Sequence, residues 1–154
     1  VIAVTFDYTE VLKLATDMDI LAEKWFPMAM RGAVTEASLF FEREAKIGAP
    51  VDTGRLEASI GHGPDGVWEE TFAKGVGYWV TVGTNVEYAP YMEYGFTMGV
   101  GHVAYIKGAK GFRYVHPFTF EGYHFMQKAA NVTERMLGDT IAKHIDRAIA
   151  KGGW

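Results

Sequence analysis

Ala49-Pro50-Val51-Asp52-Thr53-Gly54-Arg55-Leu56, written APVDTGRL, divides two kinds of sequence. Before it, Pro27 to about Ile47 carries Met30, Val34, Ala37, Phe41 and Ala45 at helical spacing, with Phe40 and Ile47 beside the stripe. Gly48 reads as a C-terminal glycine, and Pro50 blocks resumption of the helix. After it, Leu56, Ala58, Ile60 and His62 alternate with Glu57, Ser59 and Gly61, which predicts a strand. Between the two, Asp52 and Thr53 are expected to hydrogen-bond nearby backbone N–H groups, and Gly54 to take a positive φ. The stretch reads as a helix-to-strand turn built on Asp52, Thr53 and Gly54.

Working outward, Tyr8 to Trp25 places Val11, Leu14, Ala15, Met18, Leu21, Ala22 and Trp25 at helical spacing, a first helix ahead of the one opened by Pro27. Gly61 to Gly66 is a turn cluster. Val67 to Phe72 and Gly77 to Gly83 are further strands, the second with Tyr78, Val80 and Val82 on one face. Tyr88 to Tyr94 reads as a short helix ended by Gly95. Residues 96–115 show no regular element from end to end and are expected to form a long flexible loop. Pro117 to Lys151 predicts one long helix with Tyr123, Met126, Ala130, Leu137, Ile141, Ile145 and Ala148 as its stripe, followed by a flexible tail, 152–154. The expected architecture is a single α+β domain, 1–154. A small antiparallel sheet packs with two N-terminal helices, a short middle helix and a long C-terminal helix.

The bulk properties bound the function. Hydrophobic residues make up 49% and charged residues 22%, the balance of a globular domain rather than a disordered chain. With no cysteine, disulfides, zinc–thiolate sites and thiol nucleophiles are excluded. No apolar run approaches the ~20 residues of a membrane span, and the first residues lack the basic region of a signal peptide. A protein of the cytoplasm, without membrane contact, is expected. Charge is uneven. Val1 to Met98 holds 7 Lys+Arg against 15 Asp+Glu, net -8, and Gly99 to Trp154 holds 8 against 4, net +4. Solvated helix faces account for such a split, and so does head-to-tail association of an acidic face with a basic one.

Few motifs carry chemistry. Val51-Asp52-Thr53-Gly54 is spelled like the catalytic loop of an aspartic protease, whose chemistry needs two such carboxylates on loops between strands. This chain has one, so only a dimer could complete the pair. Gly99-Val100-Gly101-His102-Val103-Ala104 lacks the flanking strand and helix of a dinucleotide fingerprint. The five histidines show no metal-binding spacing, and no metal or cofactor is expected. Lys107, Lys110 and Arg113 interleave with Tyr105, Phe112 and Tyr114, a pattern that tracks phosphates and stacks bases. Three charges on an acidic chain are a weak footprint for a dedicated DNA-binding domain.

Three blocks in order resemble one family. APVDTGRLEASI (49–60), VGTNVEYAPYMEYGF (82–96) and His116-Pro117-Phe118 with Met126-Gln127-Lys128-Ala129 downstream are similar to the tail-completion, or neck, proteins of long-tailed bacteriophages. The resemblance spans roughly residues 29–149; Phe96 departs from the Thr or Ser common at that place. It implies a structural virion protein without catalysis, assembled in the host cytoplasm. It implies a homo-oligomeric ring, six-fold, at the head–tail junction, completing the tail and joining it to the filled capsid, with genomic DNA passing non-specifically through the bore. A portal or head-completion ring would lie on one side and tail-tube or tail-terminator proteins on the other. Head-closure and tail-terminator roles are the nearest alternatives, and the dimeric aspartic protease a remote one. Under the resemblance, Tyr88, Tyr91 and Tyr94 pack the short helix or meet a neighbour. Glu93 pairs with a basic group of the adjacent subunit, and Lys107, Lys110, Phe112 and Arg113 reach the next ring or the DNA.

Overall fold

The computed structural model describes residues 17–52, 54–73, 77–106 and 111–152. Helix runs from Asp17 without a break. Leu21–Trp25 forms a π-helical turn and passes directly into α1, Phe26–Gly48. The N–H of Phe26 donates to the carbonyl of Leu21, five residues back. Pro27 has no N–H to give and its ring crowds the preceding turn. A wider turn just before it lets the helix continue, so Pro27 does not separate two helices as the sequence suggested. The part of the predicted first helix before Asp17 lies outside the described residues.

The remaining elements are α2 (Arg55–Ser59), β1 (Gly66–Ala73), β2 (Gly77–Thr84), α3 (Ala89–Tyr94), β3 (Phe96–Met98), β4 (His102–Ile106), β5 (Gly111–Val115), β6 (Phe118–Phe120) and α4 (Phe125–Gly152). The fold is mixed helix and strand, with a long C-terminal helix. Its strands form three two-stranded sheets rather than one: β1 with β2, β3 with β6, and β4 with β5. The last two are antiparallel, with Phe96 opposite Phe120 and His102 opposite Val115 at their outer ends.

Three expectations are corrected. Residues 55–59 are helical. Leu56, Ser59 and Ile60 are buried, a spacing of three and four that suits a helix turn as well as alternation suits a strand. The 96–115 stretch is two ribbons in series, not an irregular loop. Its glycines punctuate strands rather than dissolve them. The long helix begins at Phe125, not Pro117, because Gly122 (φ 83°) and His124 (φ 53°) turn the chain sharply just before it.

The chain divides into two compact units, and it passes between them within α1, β1, β2 and α4. The first holds the described residues up to Phe40, Glu69–Thr81 and those from Thr133 onward. Its helices pack closely through small side chains. Ala29, Ala33 and Ala37 are buried on α1, with Thr140 and Ala148 buried on α4. A Cβ at Gly32 would lie 2.7 Å from His144 Nδ1, so any larger residue there would have to displace the His144 ring. Glu36 on α1 accepts a hydrogen bond from Lys143 Nζ at 2.7 Å, and its other oxygen lies 2.8 Å from His144 Nε2. Strand β2 is tied to α1 by a 3.0 Å bond between the Thr35 and Tyr78 hydroxyls and by Arg31, whose guanidinium stacks over the Tyr78 ring.

The second unit is Phe41–Trp68 with Val82–Val132. Ala45, Ala49, Leu56, Ile60, Val86, Ala89, Phe125 and Ala129 form its core, with Phe41, Tyr88, Met92 and Met126 packed around. The buried register of α4 here is Phe125 and Ala129, one residue before the predicted Met126 and Ala130, and Ala130 is exposed. Glu42, only 7% exposed, is held by three donors or partners. Lys46 Nζ donates at 2.6 Å, the His62 N–H at 3.2 Å, and His62 Nδ1 lies 2.7 Å away. Burial pushes the Glu42 carboxyl up, but these hydrogen bonds outweigh it and hold the group below the usual range.

Candidate functional site

Two neighbouring features of the second unit account for the motif residues: a buried carboxylate that caps the long helix, and the ribbon arm that leaves the fold beside it.

An α-helix begins with N–H groups that have no partner of their own. In α4 the first turn contains no acidic residue. The missing acceptor comes from Glu93, 32 residues earlier. Met126 N–H donates to Glu93 Oε2 at 2.9 Å and Gln127 N–H donates to Oε1 at 3.0 Å. The backbone reinforces the junction. Tyr123 N–H donates to the Met92 carbonyl at 2.7 Å, and His124 N–H to the Glu93 carbonyl at 3.1 Å. The two strands of chain approach so closely that a Cβ on Gly95 would meet the Phe120 carbonyl, and one on Gly122 the Glu93 carbonyl. Both glycines also have positive φ, 79° and 83°. The Tyr-x-Glu-x-Gly spelling of Tyr91–Gly95 is therefore a helix-docking device. Glu93 is 5% exposed and both its oxygens are spent within the chain, which replaces the expected pairing with a basic group of another subunit.

APVDTGRL is a turn, but between two helices. Gly54 (φ 75°) is the N-cap position of α2, with no side-chain cap, and its carbonyl accepts from Ala58 N–H at 2.9 Å. Asp52 is exposed and makes no hydrogen bond among the described residues, so the expected cap is not made. Thr53 lies outside the described residues. The absence of flanking strands also removes the loop-between-strands setting that aspartic protease chemistry requires. Arg55 reaches Asp65 at 3.3 Å on the surface. Pro50, Val51, Asp52, Arg55, Tyr88 and Tyr123 help line an open cleft of about 440 Å³ there.

The arm is anchored by rings. Phe96 sits 6.2 Å from Tyr91, 5.6 Å from Phe118 and 5.8 Å from Phe120, and Phe120 lies 5.3 Å from Tyr123. Beyond this base, β4 and β5 pair Val103 with Tyr114 and Tyr105 with Phe112. Opposed residues share a face, so these four side chains form one apolar face. Tyr105 and Phe112 meet edge to face at 5.5 Å, yet the four are 57–70% exposed. Arg113, opposite Ala104, lies on the reverse face.

Of the other predicted site residues, Tyr88 is half-buried against the core, while Tyr91 (56%) and Tyr94 (75%) are exposed. Lys107 and Lys110 fall outside the described residues. The Glu93 cap and the Glu42 and Glu36 clusters were not found from sequence, because each joins residues far apart in the chain. Among the described residues no group of three His, Asp or Glu side chains is placed to hold a metal, and no helix is long and apolar enough to cross a membrane.

Comparison with known proteins yields one match. Residues 13–95 fit the family profile HK97-gp10_like, described as "Bacteriophage HK97-gp10, putative tail-component". No curated protein and no solved structure matches the chain. The matched region contains both APVDTGRL and VGTNVEYAPYMEYG, the two blocks whose structure is described above.

Proposed function

The chain belongs to the HK97-gp10-like family of bacteriophage tail components, and on that basis we propose that it is a structural protein of the virion neck, forming a ring that completes the tail and joins it to the DNA-filled head. The family membership carries this reading. It is supported by the arm, an aromatic ribbon face left bare beside a tightly satisfied core, the form expected of a subunit that finishes its packing against neighbours. DNA passes through the bore without being gripped, consistent with a net charge of -4. A portal-side ring and tail-tube proteins are its neighbours, and no catalytic step is assigned.

The test is localisation. Particles carrying a tagged chain, imaged by electron microscopy with a tag-specific label, should show the label at the head–tail junction. Label distributed along the tail tube or at the distal tip would overturn the neck assignment. Cross-linking to the portal alone would move the chain to the head-closure position, and cross-linking to tail-tube protein alone to that of a terminator.

A further inference from the structure

We propose that the β4–β5 ribbon pairs edge to edge with the ribbons of neighbouring copies of the chain, the outer edge of β5 in one copy meeting the outer edge of β4 in the next. This contact rests on the ring reading and names the backbone that would build it.

A strand inside a sheet bonds to a neighbour on each side. Among the described residues, β4 and β5 have only each other. Each therefore presents an outer row of N–H and C=O groups with no strand beside it. Folded proteins blunt such edges with very short strands, Pro, charged side chains or bulges. This ribbon is hardly blunted at all. His102–Ile106 and Gly111–Val115 contain no Pro, Lys, Asp or Glu, and Arg113 is their one formal charge. They pair residue for residue over five positions, so no bulge breaks the register. The other sheets differ. Strands β3 and β6 have three residues each, and β1 carries Glu69 and Glu70 side by side.

A lone two-stranded ribbon is marginally stable at best in water, and further strands sharing an apolar face make it secure. Here Val103, Tyr105, Phe112 and Tyr114 give the ribbon such a face, still exposed. The sheet is begun and left unextended on both sides.

A second copy is the partner that fits, because one chain carries both halves of the contact. Strands β4 and β5 run in opposite directions and have equal length, five residues each. Setting β5 of one copy beside β4 of the next continues the same antiparallel alternation, and the step repeats at every following copy. The four apolar residues of successive ribbons then stay on one side of the widened sheet and gain same-face neighbours across each new edge. The two edges differ, so the contact is head-to-tail, and closing the circle leaves no edge open. Pairing β4 with β4, or β5 with β5, about a two-fold axis would end at one contact and leave the outermost edges bare.

The lack of cysteine makes the test direct. Arg113→Cys marks β5; His102→Cys or Ala104→Cys marks β4. All three positions lie on the reverse face, so the apolar face is untouched. Circular dichroism checks the fold of each variant. Particles are assembled from a mixture of an Arg113→Cys chain and a β4-marked chain bearing tags of different size, and are treated with a short bifunctional maleimide. A mixed dimer should form with at least one β4 mark, and each variant assembled alone should stay monomeric on denaturing gels. Hydrogen exchange supplies the backbone readout. In a lone ribbon about half of the strand N–H groups point outward, so the slowly exchanging amides of 102–106 and 111–115 should rise roughly twofold from unassembled chain to assembled ring. The proposal is overturned by absence of mixed dimer with both β4 marks, by dimer from any single variant alone, by linkage to a different protein only, or by exchange that assembly leaves unchanged. These outcomes are separable from failure of the neck reading. A tagged chain at the junction without mixed dimer refutes this contact alone, whereas mixed dimer with the chain elsewhere in the particle refutes the neck reading and upholds the contact.

Discussion

Glu93 and Phe112 stand less than 20 residues apart, yet they have opposite fates. Glu93 is charged and buried, with both oxygens bound to the first turn of α4. Phe112 is apolar and 70% exposed, and its ring meets that of Tyr105, itself 58% exposed. The difference shows where the chain is finished and where it is not. At the base, a polar group is admitted to the interior because it satisfies N–H groups that nothing else would satisfy. On the arm, apolar surface stays in water, a cost that a free-standing domain would have little reason to carry. The first region closes the fold, and the second leaves apolar surface in water.

Removing the cap should break the contrast most severely. Glu93→Ala leaves two N–H groups of α4 without their acceptor and should cost roughly 2–4 kcal/mol in denaturant unfolding. Glu93→Gln keeps one acceptor and removes the charge, so it should cost about half as much. Next in size is the backbone crossing. Gly122→Ala puts a Cβ against the Glu93 carbonyl at a φ of 83°, and should cost about 1–3 kcal/mol. If either change left stability untouched, the junction would not be the structural centre described here.

Much of this was readable in advance, and the rest was not, for physical reasons. Helix α1 and the distal part of α4 announce themselves by long apolar stripes, which average over many turns. Helix α2 does not, since Leu56 to Ile60 fits a period of 2 and a period of 3.6 equally well over so few residues. The arm was hidden by its glycines, although His102–Ile106 and Gly111–Val115 contain the β-branched and aromatic residues that favour strands. Glu93 sat in a recognised motif, but its partner is a backbone 33 residues away, which local spacing cannot show. Asp52 had the opposite history: a conspicuous residue by spelling, it is exposed and has no hydrogen-bond partner among the described residues.

Smaller effects sharpen the same contrast. The hydrogen bond from Lys143, and then that from His144, lowers the Glu36 carboxyl from 4.5 to about 2. A carboxylate lowered in the fold adds stability above its unfolded value and loses it as pH falls through its folded value. This contribution should therefore be complete above about pH 4.5 and fade toward pH 2, and Glu36→Gln should remove that part of the acid sensitivity. Melting temperature against pH for both proteins measures it. Phe112→Ser should change folding stability by less than about 0.5 kcal/mol while impairing assembly, because its surface is already in water. Asp52→Ala should likewise fall within about 0.5 kcal/mol, and with no effect on assembly. A loss of several kcal/mol at Asp52 would mean that the turn depends on it after all.

The central claim is that this tail-component chain serves at the neck of the virion. Electron microscopy of particles carrying a tagged chain tests it most directly. The account predicts a ring of label at the head–tail junction, present in joined particles and missing where heads and tails remain separate for want of the chain. Label along the tube or at the distal tip, with an empty junction, would contradict it.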